Sequence, residues 1–312
     1  MTRSTFARRF GWFAPLLALS FIALGPSAVS VAAQNAAIAT DPTPDHDHPA
    51  AIDTFQLPSH GVLLNAFIYV AAGAGPHPAV VLLHGFPGNE KNLDVAQTIR
   101  RAGWNVLYFD YRGSWGSPGD FSFTHCIEDT AAAIAWLRDP ANAAKERTDP
   151  KKIVLVGHSM GGFMALEAGA RDLGIAGVIT ISAADMGMTQ LLAAPVEQRT
   201  ALVPVIAPQL AAEGMAPLAG TSPEALAKEL VANVAEWNFP SLAGGLAGRP
   251  LLAITSDDGW RAPAETLVTA IGKAGGKHAS TVHMATDHSY SDHRIALEEA
   301  VLGLLQQRAG HE

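Results

Sequence analysis

The sequence predicts an α/β fold in which a mostly parallel sheet of about eight strands is covered by helices on both sides. Apolar runs of strand length alternate with helix-length segments, which is the order of a parallel sheet with crossover helices. These runs are apolar throughout rather than alternating, as expected for strands that are buried on both faces. Chemically active residue types follow several of the runs, at the sheet edge where open α/β folds bind ligands.

The expected strands follow one another in a simple order. An antiparallel pair begins the domain at Ala51–Leu57 and Val62–Tyr69. Helices are expected in the intervening segments, for example at Leu93–Ala102 and Cys126–Leu137. The remaining strands are short apolar runs, expected at Val80–Leu83, Val106–Phe109, Ile153–Val156, Val178–Ile181, Leu251–Thr255 and Thr281–Met284.

One segment interrupts the alternation. Residues 185–245 contain no run typical of a strand, are rich in Ala, Leu and Pro, and include a helical stretch from Pro223 to Trp237. An insertion of this kind between two core strands is typical of a lid over a binding site. We therefore expect residues 51–312 to form one domain with a helical lid insertion at about 185–245.

The first 33 residues show the three parts of a secretory signal peptide. Basic residues precede a mostly apolar run at 10–29, and small residues at 31–33 supply the cleavage spacing. Gly25 and Pro26 keep the run short of the roughly 20 residues that a spanning helix needs. We expect cleavage near Ala33 and export to the periplasm or the medium, with no membrane span left afterwards.

Composition narrows the classes of function. The chain is 48% hydrophobic, which suits a sizeable core, and its net charge of −8 with scattered Lys and Arg argues against a nucleic-acid partner. Cys126 is the single cysteine, so an intramolecular disulfide or a thiolate metal cage is excluded. Residues 34–50 have the composition of a linker, in which His46 and His48 would hold a metal only weakly. No metal or organic cofactor is implied.

A G-x-S-x-G motif, Gly157-His158-Ser159-Met160-Gly161, lies between the expected strand Ile153–Val156 and a helix-forming segment. On a tight strand-to-helix turn this motif lifts the serine hydroxyl above the edge of the sheet. The flanking glycines allow the backbone to bend and approach closely, and the helix N-terminus directs partial positive charge toward the serine. Ser159 is therefore the candidate nucleophile.

A serine nucleophile needs a base, and the chain order for this kind of turn is serine, acid, histidine. His288 follows the last expected strand and is the candidate base. Three other histidines compete with it. These are His278, His283, which lies inside the expected strand, and His293, which lies in or near the last helix.

Two adjacent aspartates, Asp257 and Asp258, follow the expected strand Leu251–Thr255. We expect Asp258 to orient the base, because it lies farther from the strand end and Gly259 gives the turn behind it freedom. Asp257 remains an alternative, and Asp185 is a more distant one.

Two further loops follow expected strands. His84-Gly85-Phe86-Pro87-Gly88 lies where one backbone donor to an oxyanion is expected, which we assign to the N–H of Phe86, and the N–H of Met160 is the second. His84 is expected to be a buried structural histidine bonded to the backbone. The loop after Val106–Phe109 is expected to be held by an ion pair between Asp110 and Arg112 or a neighbour.

Together these motifs resemble the α/β-hydrolase superfamily over about residues 52–310. The resemblance is carried by H-G-F-P-G, D-Y-R-G, G-H-S-M-G-G, the aspartate pair and D-H-S-Y-S-D, in that order. The stretch F-D-Y-R-G-S-W-G-S-P-G-D-F-S-F is similar to the esterase branch that is called dienelactone-hydrolase-like or prolyl-oligopeptidase-like. Large peptidase relatives carry a propeller domain for which this chain has no room.

The resemblance implies a serine hydrolase that cleaves a small-molecule ester or small amide through an acyl-enzyme. A peptidase-like amidase or an acyltransferase on the same residues is the alternative. A binding protein without catalysis is a remote alternative, because candidates for nucleophile, acid and base are all present.

Overall fold

The computed structural model describes residues 36–309. The predicted signal peptide, residues 1–33, lies outside the described residues. Within them the chain forms one eight-stranded sheet with the spatial order β1-β2-β4-β3-β5-β6-β7-β8, which confirms the predicted α/β architecture. The strands are β1 Ala51–Ser59, β2 Val62–Val70, β3 His77–Leu83, β4 Asn105–Phe109, β5 Thr148–His158, β6 Gly177–Ile181, β7 Leu251–Thr255 and β8 Ala279–His283.

The sheet is antiparallel only at its beginning. β2 pairs antiparallel with both β1 and β4, and every pair from β4 onward through β3, β5, β6, β7 and β8 is parallel. The carboxyl ends of the parallel strands therefore lie at one edge of the sheet. β8 departs from the expected burial, since Ser280 and Thr281 are exposed at the edge strand.

Helices pack on both faces of the sheet. Successive side chains of a strand point to opposite faces, so Val80 and Val81 of β3 belong to the two separate apolar cores. One core holds the helices Leu93–Arg101 and Arg294–Ala309, and the other holds Phe123–Arg138, Met160–Arg171, Phe239–Leu246 and Arg261–Lys273. The helices outside the insertion are α1 Leu93–Arg101, α2 Phe123–Arg138, α3 Pro140–Lys145, α4 Met160–Arg171, α10 Arg261–Lys273 and α11 Arg294–Ala309.

The segment between β6 and β7 is helical, as expected. The stretch expected to be one helix from Pro223 to Trp237 is two helices that meet at Asn233, whose side chain donates to the carbonyl of Glu229 (2.8 Å). The last helix of the segment packs its buried Phe239 into the core of the sheet. After a 3₁₀ turn at Thr189–Leu191, the helices are α5 Val196–Thr200, α6 Val203–Ala212, α7 Pro223–Ala232, α8 Val234–Trp237 and α9 Phe239–Leu246.

Residues 36–50, most of the expected linker, lie against the domain. The carbonyl of Ala37 accepts a hydrogen bond from Arg101 Nε (2.6 Å), and that of His48 accepts one from the N–H of Gly73 (2.9 Å). Among residues 36–309, none of the helices combines the length and the hydropathy needed to cross a bilayer.

The loop after β4 is held by ion pairs, but Asp110 and Arg112 do not pair with each other. Arg112 is buried and donates from its backbone N–H (2.8 Å) and its Nε (2.7 Å) to Asp129 of α2. The hydroxyl of Ser59 also donates to Asp129 (2.6 Å). Asp110 instead accepts from Lys91 Nζ (3.0 Å). The two charges separate because Arg112 points toward α2, where a buried carboxylate completes its hydrogen bonds.

We predict that Asp129→Asn lowers the free energy of unfolding by about 2–4 kcal/mol, because Asp129 is the buried one of the two carboxylates, with Glu128, that pair with a buried guanidinium. Urea unfolding followed by circular dichroism measures the change. The matched control is Glu265→Gln, which removes the ion pair between Arg261 and Glu265. Their side chains are 55% and 49% exposed, so the substitution should lower the free energy of unfolding by less than about 0.5 kcal/mol. Equal costs for the two substitutions would contradict this account.

Candidate active site

Ser159 occupies a tight turn between β5 and α4. Its backbone angles are φ 56° and ψ −121°, a conformation that side-chain-bearing residues rarely adopt and that stores strain. The turn is fixed to the end of β6, because the N–H of Ser159 donates to the carbonyl of Ile181 (2.9 Å) and its carbonyl accepts from the N–H of Ala184 (3.0 Å). This is the geometry of a nucleophile elbow.

The two glycines of the motif allow the backbone to approach closely at this turn. A Cβ on Gly157 would lie 2.0 Å from the carbonyl oxygen of Gly161. A Cβ on Gly161 would lie 2.2 Å from the carbonyl oxygen of Leu83, at the end of β3. Neither position has room for a side chain, so glycine is required at both.

The second candidate, His288, lies beside Asp258. Nδ1 of His288 is 2.7 Å from Oδ2 of Asp258, and the two residues follow the neighbouring strands β8 and β7. Ser159 lines the same cavity as both of them. The structure thus brings all three predicted residues to one site, with a direct hydrogen bond between the imidazole and the carboxylate.

The neighbouring aspartates have different partners. Asp257 is 64% exposed and lies 3.2 Å from Nε2 of His283, whereas the side chain of Asp258 is 7% exposed and contacts His288. Asp185, the more distant alternative, also lines the cavity, but its carboxylate accepts from the N–H (2.6 Å) and the hydroxyl (2.9 Å) of Thr189. Of the three aspartates considered from the sequence, Asp258 is the one that contacts the candidate base.

Asp258 is held in its charged form. Burial alone would raise the pKa of this carboxyl, but hydrogen bonds from His288, from the Ser182 hydroxyl and from the backbone of Trp260 outweigh it, so the pKa lies well below the usual range. An ionised carboxylate at this position keeps a proton on Nδ1 of His288 and leaves Nε2 free to accept another.

The loop after β3 touches the serine. A Cβ on Gly85 would lie 2.9 Å from the Cβ of Ser159. Phe86 and Met160 both line the cavity, and within the described part of the chain neither backbone N–H donates to a protein acceptor. Both N–H groups are therefore free to bind an oxygen atom of a ligand.

His84 is buried, and its Nδ1 donates to the carbonyl of Gly85 (2.8 Å). Burial lowers the pKa of His84 to about 4, so the ring is neutral at neutral pH. This is the structural role expected from the sequence.

The cavity that contains these residues has a volume of about 620 Å³. Its wall is mostly apolar, and much of it comes from the helical insertion between β6 and β7. The acidic residues Asp185 and Glu213 also line the cavity. Within residues 36–309, the lining residues include no Lys or Arg. The apolar wall is formed by Phe86, Phe123, Met160, Ala184, Met186, Met188, Ile206, Leu210, Leu230 and Trp260.

The sequence profile of the Alpha/beta hydrolase family matches residues 80–311. The chain belongs to the alpha/beta hydrolase family. An uncharacterized protein of Mycobacterium tuberculosis (strain ATCC 25618 / H37Rv) is 30% identical over 119 residues, which cover 38% of this chain and 41% of that protein. The quorum-quenching protein AidA of Acinetobacter baumannii is 30% identical over 138 residues, or 42% and 44% of the two chains. The chain thus spans less than half the length of these curated relatives.

Among solved structures, this family member resembles EstE1, a thermophilic carboxylesterase cloned from a metagenomic library. The TM-score is 0.61 at 19% sequence identity, and the match covers 92% of this chain and 98% of EstE1. Agreement over nearly both whole chains at such low identity shows a shared fold. The superfamily that the motifs predicted is confirmed by the family profile over residues 80–311.

His158, beside the nucleophile, is a residue that the motif alone did not single out. Its Nε2–H donates to the backbone carbonyl of His288 (2.9 Å), and the two rings lie 4.7 Å apart. The pKa of His158 is lowered to about 4, mainly by burial and further by the nearby His288. The ring is therefore a neutral donor that holds the loop of the candidate base.

We predict that His158 makes stability depend on pH between about 6.5 and 4. The unfolded state binds a proton to this ring in that window and the folded state does not, so stability falls as the pH is lowered. From pH 7 to pH 5 the loss should be about 2 kcal/mol for this ring. Urea unfolding at both pH values measures it.

His158→Asn keeps a donor near the carbonyl of His288 but does not titrate, so the variant should lose correspondingly less stability at pH 5. An equal loss in the wild type and the variant would show that burial does not perturb this histidine.

Proposed function

We propose that the protein is a serine hydrolase that cleaves a carboxylic ester, or a small amide, through an acyl-enzyme intermediate. The observation that carries the proposal is the convergence of a serine on a strained turn and a bonded His288–Asp258 pair at one cavity. Family membership supports a hydrolase, and the related fold of a carboxylesterase supports ester cleavage.

The reaction follows from the roles that these positions allow. The hydroxyl oxygen of Ser159 attacks the acyl carbon while Nε2 of His288 takes the hydroxyl proton, and Asp258 stabilises the imidazolium through Nδ1. His288 then gives the proton to the departing alkoxide or amine, so the leaving group exits neutral. Water attacks the acyl-enzyme with His288 again as base, which releases the acid and restores Ser159.

Charge on the tetrahedral oxygen is stabilised by the free N–H groups of Phe86 and Met160. Met160 is the first residue of α4, so its N–H is one of the donors that a helix leaves unbonded, and the helix dipole adds partial positive charge there. Such main-chain donors are held rigidly and need no reorganisation during the reaction.

The cavity favours a substrate without negative charge. Its apolar wall suits an aliphatic or aromatic group, and the carboxylates of Asp185 and Glu213 repel an anion. A small uncharged ester fits both features.

We also propose that the protein is exported. The support is the sequence of residues 1–33, with its basic start, apolar middle and small-residue end. Residues 34–50 would then connect the cleavage site to the hydrolase domain at 51–312.

We predict that the full chain hydrolyses short-chain nitrophenyl esters and that a fluorophosphonate probe labels it at Ser159. Ser159→Ala and His288→Ala should each remove nearly all turnover, by up to about 10⁶-fold, and the double variant should be little worse because the residues act as one unit. Initial rates and mass spectrometry of the labelled peptide measure the two effects. Folded wild-type protein that neither labels nor turns over an ester would refute the proposal, and faster cleavage of amino-acid arylamides would assign it to the amidase alternative.

The adjacent aspartates provide a matched pair of variants. Asp258→Asn should lower kcat by about 10⁴-fold, because an amide cannot hold the imidazole in the required tautomer. Asp257→Asn also removes one negative charge, one residue away, and should leave kcat within a few-fold of the wild-type value. Comparable losses in both variants would show that the effect is one of local charge and not of the contact with His288.

A further inference from the structure

Three buried hydroxyl groups lie in a row behind the candidate acid. The hydroxyl of Ser182 lies 2.9 Å from that of Tyr290 and 3.0 Å from that of Ser256. Ser182 and Tyr290 have no exposed surface, and Ser256 is 1% exposed. We call Ser182, Ser256 and Tyr290 the hydroxyl row.

Each member lies on a different loop of the site. Ser256 stands two residues before Asp258, and Tyr290 stands two residues after His288. Ser182 directly follows β6, whose last residue, Ile181, accepts the backbone N–H of Ser159. The hydroxyl row therefore connects the loops that carry the acid and the base to the strand that holds the nucleophile.

The backbone is strained at two of the three positions. The φ angle is 47° at Ser182 and 57° at Tyr290, in the left-handed region that side-chain-bearing residues rarely adopt. Such conformations persist only where surrounding contacts hold them. Ser182 is held further by its backbone N–H, which donates to the carbonyl of Ile254 (2.8 Å).

We propose that Ser182, Ser256 and Tyr290 are positioning residues, whose hydrogen-bonded hydroxyls fix the carboxylate of Asp258, and through it His288, relative to Ser159. The expected effect of these residues on turnover rests on the proposed function.

The direction of the hydroxyl protons supports this role. An ionised carboxylate only accepts hydrogen bonds, so a hydroxyl that contacts it donates its single proton to it and accepts from the next hydroxyl of the row. The Oδ2 atom of Asp258 already accepts from His288 and its Oδ1 from the N–H of Trp260 (3.0 Å), and the hydroxyls of Ser182 and Ser256 add to the stabilisation of the charge.

Tyr290 stands at the far end of the row and remains a proton donor. Burial raises the pKa of Tyr290 to about 12, so its phenol keeps its proton throughout the working range of an enzyme. Removing this one oxygen would leave the buried Ser182 without one partner, while the ring of the tyrosine would still fill its place.

The decisive variant is Tyr290→Phe, which removes the oxygen and keeps the ring. We expect kcat for a nitrophenyl ester to fall about tenfold while KM stays within twofold, because alignment and not substrate binding is disturbed. Tyr69→Phe is the control, since Tyr69 lies on β2 beside the first residues of β4, at the opposite edge of the sheet, and should leave kcat within twofold.

A double-variant cycle tests whether the hydroxyls act together. Ser182→Ala should also lower kcat about tenfold, and adding Tyr290→Phe to it should cost less than a further twofold, because the row is already broken at its centre. Independent, multiplicative losses would overturn the proposal, as would a change confined to KM or an unchanged kcat in Tyr290→Phe.

A spectroscopic readout separates this inference from the proposed function. The Nδ1 proton of His288, bonded to Asp258, should give a downfield proton resonance in the wild type that shifts upfield or broadens in Tyr290→Phe and persists in Tyr69→Phe. A resonance that is the same in Tyr290→Phe as in the wild type would overturn the positioning role even if esters are hydrolysed. If the wild type turns over no ester and labels with no fluorophosphonate, the proposed function fails, while the resonance still decides whether the row positions His288.

Discussion

The close backbone approach at the serine turn is the constraint on which the site depends. Gly157 and Gly161 lie so near each other and so near the end of β3 that no side chain fits at either position. This approach places the first turn of α4 directly beyond the strand, with Ser159 between them in a strained conformation. The strained conformation is held by hydrogen bonds to the last residue of β6 and to Ala184 in the loop that follows it.

The parallel sheet then supplies the remaining groups at the same edge. Strands β5, β6, β7 and β8 are neighbours in both sequence and space, and each ends in a loop that contributes a polar side chain. In this order they bring Ser159, Ser182, Asp258 and His288 together. Convergence over so long a stretch of chain needs only the regular right-handed crossovers of the fold. The arrangement of these side chains is therefore a consequence of topology, and the loops set its details.

The sequence predicted what depends on local pattern, and it left open what depends on loop direction. Apolar runs and the glycine motif located the strands and Ser159, because burial on two faces and a tight turn each demand particular residues at fixed spacing. The choice between Asp257 and Asp258 was left open, since one residue of loop register decides which points to His288. Arg112 pairs with Asp129 and not with Asp110, because Asp129 lies on a helix that packs beneath the loop. Such pairings depend on tertiary contacts that composition does not encode.

Two neighbours of His288, the ring of His158 and the carboxylate of Asp258, differ in charge. Burial keeps the ring of His158, 4.7 Å away, neutral down to about pH 4, so this ring would add no positive charge beside the imidazolium of the proposed reaction. The same ring donates to the carbonyl of His288, which fixes the loop without adding charge. Asp258 supplies the negative charge on the other side, and its hydrogen bonds keep it ionised although it is buried. The neutral histidine thus fixes the loop of the proposed base, while the carboxylate both orients its ring and balances the charge that it would gain in the proposed reaction.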